Sequence, residues 1–310
     1  MTENKSNKNP GSGQSILHLN GIFPPIPTSF DAKGHPAFEE IQRNIVALSQ
    51  FDLRGFVVLG SNGEYVMLST QEKLLVLQAS RAAIPPDKLM IAGTGCQSTS
   101  DTVNLTQKAA QIGADIALVI TPSYYLKQMT PAVLINHFSM VAEMSPIPVM
   151  LYNMPACTGI DMDEDTIAAL AEQPNIIGIK DSSGNMVKLA SLRQKVGPGF
   201  QILAGSAGFL LPAITMGASG GVLALANIAP EQCIAIQRFH LEGRRQEARD
   251  LQIRMVPVNT AVTSKWGVAG LKAAMDLLGF YGGPVRLPLM PLSDEDNKQL
   301  QSILIAGGLL

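Results

Sequence analysis

The sequence predicts an α/β fold, a closed (β/α)8 TIM barrel with a C-terminal helical extension, on three observations. Short apolar runs ending in polar corners alternate with helical stretches through eight units between Gly21 and Leu241. Most of those runs lack strict apolar/polar alternation, as strands covered on both faces do. From about Arg244 to Leu310 the pattern is helical only, with no further strand unit. Eight units fit a closed ring better than an open doubly wound sheet. The expected organisation is a flexible polar leader over 1–19, the barrel over 20–243 and the helical extension, packed on it, over 244–310, with no linker that marks a separate domain.

Taken in order, Ile22, Phe23, Ile26 and Thr28 read as the first strand, and 37–50 as a helix with Ile41, Ile45 and Leu48 on one side. Residues 55–60 form the second strand, and 70–83 a helix that stops before Pro85 and Pro86. A third strand over 89–93 leads to a helix over 99–112 closed by Gly113. The fourth, 116–120, precedes a helix from near Thr130 with Pro131 in its tolerated first turn. Strand five is 148–152, with a helix over about 162–172; strand six is 176–180, with a helix over about 186–196. Strand seven, 201–205, is followed by a short helical piece over 208–216, and strand eight, 221–225, by a helix over 230–241. The extension holds helices over 245–256, 268–278 and 294–305, interrupted at Tyr281-Gly-Gly-Pro284.

Composition removes several function classes. With 23 Lys+Arg against 25 Asp+Glu and no basic tail, the chain offers no broad surface for nucleic acid. No apolar run approaches the length of a membrane span, so no membrane partner is expected. Cys96, Cys157 and Cys233 are too few and too scattered for a disulfide framework, and Met1 to Gln14 shows neither a secretory signal nor an arginine-rich transit pattern; a cytoplasmic setting is the expectation. The four histidines and the cysteines show no metal-binding spacing, and no dinucleotide or P-loop glycine pattern occurs, so no metal and no cofactor are expected.

In a parallel barrel the residues just after each strand share one rim, so distant positions meet there. Lys180 ends the sixth run, where its stem can pack in the sheet while its amine faces a cavity as a nucleophile; a structural lysine paired with Asp181 is the alternative. Tyr152 ends the preceding run and can pass protons beside that amine, or simply pack. Gly60-Ser61-Asn62-Gly63 offers backbone N–H groups and a hydroxyl for a small carboxylate, or a helix cap. Ser206, after Gly205, can hydrogen-bond a substrate or cap a turn, and of the adjacent Tyr124 and Tyr125 at most one can face a common site.

Three stretches together resemble the family of dihydrodipicolinate synthase and N-acetylneuraminate lyase, the class I pyruvate aldolases, over about 21–292. Gly60-Ser-Asn-Gly-Glu64 is similar to its pyruvate-carboxylate loop, Tyr152-Asn-Met-Pro155 with Thr158-Gly159 to its tyrosine motif, and Gly178-Ile-Lys-Asp-Ser-Ser-Gly184 to its Schiff-base lysine motif. The resemblance implies Lys180, Tyr152 and Tyr124 as catalytic, Tyr124 being supplied by a neighbouring subunit. It implies Ser61, Asn62, Ser182, Gly205 and Ser206 as substrate-binding, a covalent lysine imine in place of any cofactor, a small 2-oxo acid as substrate, and a homotetramer or homodimer. One departure separates branches: the synthase branch has an arginine two residues after the motif's proline, and this chain has Cys157, which cannot replace a guanidinium fork. The other details are most similar to the 4-hydroxy-2-oxoglutarate aldolase branch. The expected reaction is therefore cleavage of 4-hydroxy-2-oxoglutarate to pyruvate and glyoxylate. The alternatives are condensation of pyruvate with aspartate semialdehyde, cleavage of a deoxy sugar acid, and an inactive barrel that binds 2-oxo acids.

Overall fold

The computed structural model describes residues 17–310. Eight strands, β1 (Gly21–Phe23), β2 (Gly55–Val58), β3 (Leu89–Gly93), β4 (Ile116–Ile120), β5 (Val149–Asn153), β6 (Ile176–Asp181), β7 (Gln201–Ala204) and β8 (Gly220–Val222), pair in parallel in the order β1-β8-β7-β6-β5-β4-β3-β2. The ring is completed where Pro25 bridges Val57 and Ile26 N–H donates to the Val57 carbonyl at 2.9 Å. Around it lie α1 (Phe38–Leu48), α2 (Thr70–Ala83), α3 (Thr99–Ile112), α4 (Pro131–Met144), α5 (Pro155–Thr158), α6 (Glu164–Ala171), α7 (Met186–Lys195), α8 (Leu210–Thr215) and α9 (Pro230–Leu241). The extension follows as α10 (Arg245–Thr260), a π-helical turn over Ala261–Lys265, α11 (Gly267–Leu277) and α12 (Asp294–Gly307).

Two apolar layers explain the uninterrupted strand sequences. Phe23, Val57, Ile91, Leu118, Met150, Leu203 and Val222 fill the inside of the ring. The residues between them, such as Phe56, Met90, Val119, Leu151, Ile179 and Ile202, pack outward on the helices. Both faces are dry, so neither needs polar side chains. Helix starts follow from local chemistry: Ser69 and Glu72 form a capping box on α2, and Ser98, Thr130, Asp163, Asn185 and Ser293 each accept an N–H of the first turn of the helix they precede.

Several expectations shift. The first strand is shorter than expected because Pro24 and Pro25 withhold N–H groups from the ladder, and Ile26 and Thr28 continue as loop. The eighth strand ends at Val222 and turns into a 3-10 segment over Ala224–Asn227. Helix α10 runs on to Thr260, past Pro257. Of the leader expected over 1–19, residues 1–16 lie outside the described chain, whereas 17–19 are anchored: Leu19 is buried, its N–H donates to Gln201 Oε1 at 2.5 Å, and Gln201 Nε2 donates to the Leu17 carbonyl at 2.6 Å.

Candidate active site

Strand register brings the two principal candidates together. Tyr152 and Lys180 are Cα partners across the β5–β6 ladder, and so are the next pair, Asn153 and Asp181. Because neighbours alternate sides, with Leu151 and Ile179 facing the helices, Tyr152 and Lys180 face the interior. Each is 4% exposed, and Lys180 Nζ lies 3.8 Å from the centre of the Tyr152 ring.

The second pair is fixed from behind. Asn153 Nδ2 donates to Asp161 Oδ1 at 2.7 Å and to Asp181 Oδ2 at 2.9 Å, and its Oδ1 accepts from Met162 N–H at 3.0 Å. Lys188 on α7 reaches Asp181 Oδ2 at 3.1 Å and also pairs with Asp161. The Asp181 to which a structural Lys180 would have turned is thus engaged by Lys188 and Asn153.

Ser61 and Asn62 sit in a single 3-10 turn, Ser61–Gly63, after β2. Ser61 Oγ lies 3.3 Å from the Tyr152 phenol oxygen, joining this loop to that phenol. Non-glycine residues with left-handed backbone flank the turn, Leu59 at φ 62° and Glu64 at φ 50°. Such conformations cost about 1–3 kcal/mol each and persist only where surrounding contacts hold them.

These groups open on a cavity of about 490 Å³, whose wall includes Ser61, Asn62, Tyr152, Cys157, Lys180, Ser182, Gly205 and Ser206. Among the described residues, Lys180 is the one cationic side chain in that wall. The Ser182 hydroxyl is buried without a hydrogen-bond partner among the described residues. It lies where a side chain on residue 205 would have to go: a Cβ on Gly205 would fall 1.9 Å from it. Although Cys157 is exposed, partial desolvation by its neighbours raises the thiol's pKa, against the opposing pull of Lys180, so the position offers a neutral thiol rather than a charge.

Tyr124 is placed differently. It is 80% exposed, stacks edge-on with Tyr125 at 5.1 Å, and does not line its own chain's cavity. Two groups were not foreseen. Tyr65, beneath the loop, has its phenol pushed up to about 12, first by burial and then by Tyr152, so it stays protonated beside that residue. Asn259 and Thr263 come from α10 and the π-helical turn; Asn259 Nδ2 donates to Ser206 Oγ at 3.0 Å, and both residues line the cavity. In the sequence Asn259, Thr260 and Thr263 follow the apolar run 255–258, a pattern that ties none of them to the rim. Among the described residues, no group of three or more His, Cys, Asp or Glu could hold a metal ion, and no helix is long and apolar enough to cross a membrane.

Residues 18–306 match the model of the dihydrodipicolinate synthetase family. The chain belongs to that family. A 4-hydroxy-tetrahydrodipicolinate synthase of Methanothrix thermoacetophila is 35% identical over 287 residues, which is 92% of this chain and 95% of that one. A probable mitochondrial 4-hydroxy-2-oxoglutarate aldolase of Emericella nidulans is 35% identical over 286 residues, 91% of this chain and 92% of that one. Among solved structures, YagE of E. coli K12, a prophage protein of the family in complex with pyruvate, superposes with a TM-score of 0.89 at 29% identity, covering 94% of this chain and 99% of that one. Membership in the dihydrodipicolinate synthetase family makes this chain a lyase of the pyruvate-dependent class I aldolase type.

Proposed function

We propose that Lys180 forms an imine with the ketone of a 2-oxo acid, and that Tyr152 and Ser61 serve it. The observation that supports this most is the Lys180–Tyr152 juxtaposition at a cavity whose wall, among the described residues, holds no second cation. The uncharged amine attacks the ketone carbon; loss of water leaves a protonated imine that accepts the electron pair of the breaking C–C bond. Tyr152 takes the proton from the 4-hydroxyl as the aldehyde leaves, and the enamine of pyruvate is then protonated and hydrolysed. Ser61 and Asn62 hold the pyruvyl carboxylate, and Ser182 and Ser206 face the distal end of the substrate. Tyr124 acts on the site of a neighbouring subunit in a homo-oligomer, which accounts for an exposed aromatic pair lying outside its own cavity.

Two aldehyde partners remain. Four relatives at 33–35% identity carry the name 4-hydroxy-tetrahydrodipicolinate synthase and one at 35% the name probable 4-hydroxy-2-oxoglutarate aldolase, which favours condensation of pyruvate with aspartate semialdehyde over the glyoxylate reading of the sequence. The cavity wall favours glyoxylate: Cys157 lines it without a guanidinium, and neutral Ser182, Ser206 and Asn259 face the distal space. Parallel assays decide between them. Pyruvate and glyoxylate released from 4-hydroxy-2-oxoglutarate support the aldolase, condensation with aspartate semialdehyde alone supports the synthase, and turnover of neither removes both.

A further inference from the structure

The extension reaches the Ser61–Asn62 loop through one buried ion pair. Glu64, which ends the loop, does not line the cavity; its Oε1 lies 2.6 Å from Nζ of Lys272 on α11, and both side chains are 1% exposed. Its Oε2 accepts from the Arg286 N–H at 2.7 Å. Lys272 Nζ also donates to the Pro284 carbonyl at 2.8 Å and lies 4.4 Å from the centre of the Phe30 ring. The Arg286 guanidinium lies 4.6 Å from the same ring centre and donates to the Met67 carbonyl at 3.0 Å, the Gly34 carbonyl at 2.6 Å and Glu72 Oε1 at 2.6 Å. One carboxylate therefore ties the loop to α11 and to the segment that follows it.

Stability alone is a poor reason for this arrangement, because a buried ion pair is commonly no better than apolar residues of the same volume. Its position supplies another reason. The loop is bracketed by left-handed Leu59 and Glu64, so it relaxes unless its ends are held. Glu64 is held by its side chain, and Gly63 by the Thr28 hydroxyl, which donates to its carbonyl at 2.6 Å. We infer that Glu64, Lys272 and Arg286 are positioning residues that keep Ser61 and Asn62 in carboxylate-accepting geometry, so that the C-terminal extension sets the affinity for the 2-oxo acid without touching it. This inference rests on the reading of Ser61 and Asn62 given above.

The test is borohydride trapping of the full chain with graded pyruvate, and with acetone, which has the ketone but no carboxylate. Two variants are compared with the unaltered chain: Lys272→Met, and Glu64→Gln with Lys272→Met, which leaves neither buried charge alone. The pyruvate concentration for half-maximal trapping is expected to rise about 10-fold or more in both, as for a weakened hydrogen bond to a charged group. The rate at saturating pyruvate and the rate with acetone should stay within about 2-fold, since Lys180 and Tyr152 are untouched. Unchanged half-saturation, or equal losses with pyruvate and acetone, overturns the inference; so does failure of both variants to fold, which would make the pair a stability element. An unaltered chain that forms no pyruvate adduct removes the proposed function and this inference together. An adduct with unchanged half-saturation in the variants removes this inference alone.

Discussion

Three side chains carry residue-scale predictions. Tyr152→Phe keeps the ring against Lys180 but removes the phenol 3.3 Å from Ser61; kcat is expected to fall by about 10²–10⁴-fold, read in a pyruvate-release assay. Little loss would mean that the proton travels by another route. Cys157→Arg places a fork-shaped cation in the cavity wall, where Lys180 is otherwise the one cation among the described residues. The ratio of kcat/KM for aspartate semialdehyde condensation to that for hydroxyoxoglutarate cleavage should rise by about 10-fold, the worth of one charge-assisted hydrogen bond. An unchanged ratio would show that residue 157 does not meet the distal group. The motif lysine, the tyrosine before it and the Ser-Asn corner were all legible, because each follows an apolar run short enough to be a strand. Tyr65 and Asn259 were not, since a lone tyrosine in a loop and a polar residue in a helix have no pattern tying them to a rim.

At the scale of elements, the β5–β6 register is held by polar contacts outside the cavity. Lys188→Met leaves Asp181 and Asp161 without their cation, and urea unfolding should show a loss of about 3–5 kcal/mol. A shift below about 1 kcal/mol would show that Asn153 holds the ladder unaided. On α4, burial lowers His137 from 6.5 to about 4, and its Nδ1 lies 2.9 Å from Thr99 Oγ1. Between those pH values the unfolded chain binds a proton there and the native chain does not. The stability gained from a neutral His137 is therefore complete above 6.5 and lost as pH falls through 4, by about 3 kcal/mol in all. His137→Gln should flatten that part of the stability–pH curve, and an unchanged slope would place the acid sensitivity elsewhere. The long helices were legible from periodicity and caps, with α2 and α3 at their expected limits. The short β1 and β8, the π-helical turn and the left-handed Leu59 and Glu64 were not, because they depend on ring closure and packing with distant segments rather than on local sequence.

At the scale of the whole molecule, the role proposed for the exposed Tyr124 requires a neighbouring subunit. If it serves another subunit's site, mixing Lys180→Ala chains with Tyr124→Phe chains should restore up to about a quarter of full activity, since each mixed symmetric pair rebuilds one intact site. No recovery after subunit exchange would confine Tyr124 to a surface role. The barrel was legible because every strand is covered on both faces, whereas the extension's grip on the Ser61–Asn62 loop, through Lys272 and Arg286, spans more than 200 residues and has no local trace. All of this chemistry turns on a covalent bond at one amine. The most direct measurement is borohydride reduction in the presence of pyruvate, followed by mass mapping of the digested chain. The predicted result is one reduced pyruvyl group on Lys180, absent from Lys180→Ala. An unmodified chain, or an adduct that persists in that variant, would contradict the account.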